Sequence, residues 1–117
     1  MAEFYAQGDV LLERVSDMPV SAQSVEPDPD GAVVLARGEV TGHRHAVHGS
    51  SVVMYRDDAL ARDIPPELYV GHIKIDGARP AELRHEEHDT ISLRPGTYRV
   101  RRQREFDRSA ERVVVQD

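Results

Sequence analysis

Residues 32–55 read AVVLARGEVTGHRHAVHGSSVVMY. Two apolar runs, Ala32 to Ala36 and Val52 to Tyr55, flank a polar middle that holds three of the chain's six histidines. The runs are rich in β-branched valine and show no helical period, so each reads as a strand. Gly38, Gly42 and Gly49 punctuate the segment between them. Gly42 stands directly before His43, where a bulge or tight bend lets the backbone approach something closely. His43 and His45 are two apart, and residues i and i+2 of a strand share a face.

Outward from this segment the same signature recurs. Val10 to Val15 forms a strand entered by Gly8-Asp9 and apolar on both faces, which places it inside a sheet. Residues 16–31 form a loop, since Pro19, Pro27 and Pro29 forbid a regular helix. Residues 56–66 are polar, with one short helical turn expected over 58–62. Leu68 to Ile75 is a strand, and Asp76-Gly77 predicts a hairpin returning through Ala81 to His85. Thr90 to Leu93 alternates, Arg94-Pro95-Gly96-Thr97 has turn composition, Tyr98 to Phe106 returns as a strand, and Val113 to Val115 is a last short one. The expected architecture is a single all-β domain over residues 1–117, a small barrel or sandwich.

Composition narrows the function. The chain has 117 residues, no cysteine and no tryptophan, and a net charge of −6. Thiolate chemistry and disulfides are absent. The acidic balance argues against whole-surface nucleic-acid binding. The longest apolar runs fall far short of the roughly twenty residues that span a bilayer, and the N-terminus lacks a basic region followed by an apolar one. The cytoplasm is the expected compartment, with no membrane partner.

Two clusters carry the candidate chemistry. The first is His43-Arg44-His45, with His48 three residues beyond His45. The second is His85-Glu86-Glu87-His88. A straight strand sets His85 and His88 on opposite faces, whereas a turn or bulge unites them. The second cluster is neither the zincin motif, whose histidines are four apart on a helix, nor its inverted form, since position 84 is arginine. Together the clusters predict one divalent transition-metal site, for zinc, iron or nickel, with His43, His45, His85 and His88 as ligands. Glu86, Glu87 or His48 can replace or orient one of these, and Glu86 or Glu87 is the candidate base for a metal-bound water. His72 reads as a lone strand residue. The acidic trio Glu26, Asp28 and Asp30 lacks the distal glutamate of an EF-hand. No nucleophile elbow, phosphate loop or dinucleotide fingerprint is present.

Arg94, Arg99, Arg101, Arg102 and Arg104 crowd one segment and support an alternative: a non-enzymatic, oligomeric interaction module that meets an acidic partner or nucleic acid. A homo-oligomer fits either reading. A closed tetrahedral shell would mark a structural metal, and an open position with water a metalloenzyme.

Two resemblances rest on these residues. Gln7-Gly8-Asp9-Val10, the 38–45 segment GEVTGHRH, His85-Glu86-Glu87-His88, Pro95-Gly96-Thr97-Tyr98 and Gln103-Arg104-Glu105-Phe106 together resemble a family of small uncharacterised bacterial and phage proteins, over most of the chain. That resemblance implies no activity. The His-x-His strand with a later histidine is similar to the cupin superfamily of metal-binding β-barrels. The carboxylate that cupins place just after His-x-His is missing from Ala46 to Ser50, and Pro95-Gly96 follows His88 where cupins put Pro-x-Gly before their histidine. A cupin-like barrel is thus an expectation of architecture and not of reaction.

Overall fold

A computed structural model describes residues 2–16, 23–38, 42–61, 63–103 and 113–116. Its strands are β1 (Ala2–Gln7), β2 (Val10–Val15), β3 (Gln23–Val25), β4 (Val33–Arg37), β5 (Arg44–His48), β6 (Val52–Arg56), β7 (Tyr69–Ile75), β8 (Ala81–Arg84), β9 (Ile91–Leu93), β10 (Gly96–Arg102) and β11 (Val113–Gln116). The only helical segment among the described residues is a 3-10 turn at Asp58–Leu60, capped by the Asp57 carboxylate, which accepts from Ala59 N at 3.0 Å.

All ladders are antiparallel. Seven strands form one sheet in the order β11-β1-β2-β10-β7-β6-β3, and four form a second in the order β4-β5-β8-β9. Alternation drives the small sheet: Ala81 and Leu83 of β8 and Ile91 and Leu93 of β9 are buried, while Glu82, Arg84 and Ser92 face water. These side chains meet Val10, Leu12, Ile73, Tyr98 and Val100 of the large sheet in a single core. Val47 and Leu83 are fully buried at its centre, each stabilising the fold by roughly 1.5–3 kcal/mol through burial. The all-β expectation therefore holds. The described strands close no barrel; each sheet keeps two open edges.

Several expectations need correction. Asp76-Gly77 does not form a hairpin: β7 pairs with β6 and β10, whereas β8 pairs with β5 and β9. The chain crosses from one sheet to the other there, and crosses back between β9 and β10. A turn signal fixes a change of direction but not which sheet the next strand joins. The first expected strand begins at Val10, whereas β1 precedes it over Ala2–Gln7. β1 pairs with β2 through the two-residue turn Gly8-Asp9, with Gln7 opposite Val10. β3, three exposed residues at a sheet edge, lay inside the expected loop. β10 ends at Arg102, and the expected continuation through Arg104 to Phe106 lies outside the described residues.

Candidate metal centre

The β5–β8 register builds the centre. Its last pairs are Val47 with Leu83 and Ala46 with Arg84. Continued one step, it sets His45 opposite His85, and the two rings lie 4.3 Å apart between centroids. His43, two residues before His45, lies 5.7 Å from His85, edge to face. The β8–β9 hairpin loop carries the His-Glu-Glu-His segment and turns tightly enough to bring His88 to 4.7 Å from His85 and 5.7 Å from His45. The four rings are thus neighbours around His85, each of the other three within 5.7 Å of it between centroids. A bulge in the β4–β5 ladder, between Val34 and Ala36, sits beside His45, where bulges commonly re-aim a side chain.

Carboxylates border the rings. Glu86 Oε1 accepts from Arg44 N at 2.8 Å, which pins it beside His43, and this bond is the main reason its pKa lies below the usual range. The ligand atoms of His43, His85 and Glu86 lie within 4.8 Å of one another. Glu87 is exposed and contributes through its backbone, donating from N to His85 Nδ1 at 3.0 Å. As it stands, neutral His85 therefore keeps its hydrogen on Nε2. To ligate, it must release the Glu87 N–H or turn its ring.

His45 is the buried member. Burial, reinforced by the neighbouring His85, lowers its pKa to about 4, so it is neutral at pH 7. Burial, with His88 next, lowers His85 in the same direction. His45 Nδ1 lies 2.9 Å from Gln7 Oε1. Gln7 is fully buried, and its Nε2 donates to Leu83 O at 3.0 Å and to Asp89 O at 2.9 Å. One amide thus ties β1 to β8 and to the loop after His88.

The turn after Gln7 closes over the rings. Gly8 has φ +58°, and a Cβ there would lie 2.9 Å from His45 Cε1 and 3.1 Å from His88 Nε2. Asp9 places Oδ1 3.5 Å from His45 Nε2, while Arg102 Nε donates to Asp9 Oδ2 at 3.0 Å. Gln7 and Asp9 are not among the site residues expected from the sequence. The signal present was the two-residue Gly-Asp turn, which marks a hairpin end beside a paired strand.

Of the remaining candidates, His48 borders the centre through a shared cleft and His72 is held elsewhere. Alternation turns His48 to the outer face of β5 with Arg44 and Ala46, where these three, Arg84, His85 and Glu86 line a cleft of about 300 Å³. His72 is buried in β7 with Nδ1 2.8 Å from Tyr69 Oη, and burial lowers its pKa. The arginine strip is largely matched within the chain. Arg99 pairs with Glu13 and, at 2.6 Å, with Asp63; Arg102 pairs with Asp9 and Arg94 with Glu3. Arg104 lies outside the described residues.

A family model for a domain of unknown function, DUF8820, matches residues 6–103, which contain every residue of this centre. The chain belongs to the DUF8820 family. No curated protein and no solved structure matches it. Among the described residues, no helix is long and apolar enough to cross a membrane.

Proposed function

We propose that this DUF8820 protein binds one divalent transition metal ion, zinc, iron or nickel, among His43, His45, His85 and His88. The observation that carries the reading is the convergence of four imidazoles from segments forty residues apart, with the buried one neutral and held by Gln7. Neutral imidazole is the ligating form, and a histidine anchored through Nδ1–H presents Nε2 to a metal. Burial is graded across the group: His45 is buried, His43, His85 and His88 are half-buried, and Glu86 is exposed. That grading favours an ion with one side open to solvent; such an ion would acidify a bound water, and Glu86, beside His43 and His85, is a candidate base. The likeness to cupins is then one of ligand chemistry on a β scaffold, with no reaction carried over.

The test is elemental analysis of tag-free protein alongside a His43→Ala/His88→Ala double variant. The expected result is near-stoichiometric metal in the first and a large loss in the second. A wild type that neither contains nor takes up metal would leave the arginine-bearing segment as the feature to pursue. Full retention in the double variant would mean that the ligands lie elsewhere.

A further inference from the structure

The β1–β2 turn holds an arrangement that the four histidines leave unexplained. Both Gln7 Nε2 hydrogens are committed to the carbonyls of Leu83 and Asp89. The Gln7 atom facing His45 Nδ1 is therefore the amide oxygen, which only accepts. Nδ1 must carry a hydrogen, which leaves Nε2 as the ring nitrogen available to a metal. That nitrogen faces Asp9 Oδ1 at 3.5 Å. The second Asp9 oxygen, Oδ2, is held by Arg102 through Nε and a terminal guanidinium nitrogen, so the carboxylate is fixed with Oδ1 towards the ring.

A carboxylate oxygen and an imidazole nitrogen that face each other are a donor pair a divalent transition metal takes. Their spacing suits a shared ion: with metal–nitrogen and metal–oxygen bonds of about 2.1 Å, neighbouring ligand atoms in a tetrahedral shell lie roughly 3.4 Å apart. The absent side chain at Gly8 leaves the adjoining space free, because a Cβ there would lie 3.2 Å from His45 Nε2 and 3.1 Å from His88 Nε2.

We infer that Asp9 is a metal ligand, its Oδ1 binding the same ion as His45 Nε2. This rests on the metal-binding reading and deepens it. The site becomes one of mixed imidazole and carboxylate donors, drawn from both sheets. Arg102 and Gln7 are then positioning residues, one orienting the carboxylate and the other fixing the tautomer of the ring.

The experiment is a zinc titration against a chromophoric chelator, with visible spectra of the cobalt-substituted protein, on wild type, Asp9→Asn, Asp9→Ser and Arg102→Gln. Asparagine and serine both suit the second position of a two-residue turn after glycine, so at least one variant should keep the hairpin, as far-ultraviolet circular dichroism will show. Zinc affinity should fall roughly 100-fold or more in both Asp9 variants, at or beyond the top of the 10–100-fold range of outer-shell partners, and by less in Arg102→Gln. The cobalt bands should shift in the Asp9 variants and keep their positions in Arg102→Gln, a change that loss of packing alone would not produce. Affinity within threefold of wild type and an unchanged cobalt spectrum would overturn the Asp9 assignment while leaving the histidine site standing. Failure of wild type to take up zinc or cobalt would overturn both, and imidazole nitrogen resonances showing a proton on His45 Nε2 would identify what replaces the ion.

Discussion

Replacing Gln7 with methionine removes one amide and keeps nearly the same volume. The amide makes three hydrogen bonds inside the core, to His45 Nδ1, Leu83 O and Asp89 O. At about 1 kcal/mol net for each, the loss is about 3 kcal/mol, since the buried Leu83 O and the His45 N–H lose the Gln7 partner. For a chain of this length that corresponds to a fall in Tm of roughly 10–15 °C. The same change frees the His45 ring to rotate or change tautomer, so metal affinity should fall roughly 10–100-fold beyond the effect on folding. Differential scanning calorimetry on metal-free protein gives the first quantity, and chelator competition at a temperature where both proteins are fully folded gives the second. A Gln7→Met protein that melts within 2 °C of wild type would refute the claim that this amide joins the two sheets and anchors His45.

Other consequences are measurable in the same preparations. The folded pKa of His45, about 4, lies below its unfolded value near 6.5, so its contribution to stability is complete above pH 6.5 and is lost as pH falls toward 4. Urea midpoints of metal-free protein should drop by the equivalent of about 2–3 kcal/mol from this group between pH 7 and 4.5, and His45→Gln should flatten that slope; identical slopes in the two proteins would contradict the burial argument. Gly8→Ala places a methyl group 2.9 Å from His45 Cε1 on a backbone at φ +58°. It should cost about 2 kcal/mol or more in a denaturant titration and weaken metal binding, whereas a neutral result would mean that the turn stands clear of the rings. His48→Ala and His72→Ala should both retain wild-type metal content, since one lies on the outer face of β5 and the other is hydrogen-bonded to Tyr69.

The all-β class was legible because valine-rich runs separated by glycine and proline leave little else to form. The pairing was not. Asp76-Gly77 has hairpin composition, yet the following strand shares its apolar alternation with β5 and β9 and joins them. Local turn chemistry carries no information about which of two sheets buries the next strand. His43 and His45 were legible from the period of two, and His85 with His88 from their failure to fit a straight strand. Gln7 and Asp9 were not, because their roles depend on β1 pairing with β2 and on the Gly8-Asp9 turn reaching across to the other sheet. A buried glutamine next to a turn looks the same in sequence as an exposed one.

The most direct measurement is anomalous diffraction at the absorption edge of the metal carried by crystals of the tag-free protein. The account predicts one peak among the rings of His43, His45, His85 and His88, on the side of His45 that faces Asp9. A peak elsewhere on the chain, or none in crystals grown with stoichiometric zinc, would contradict it.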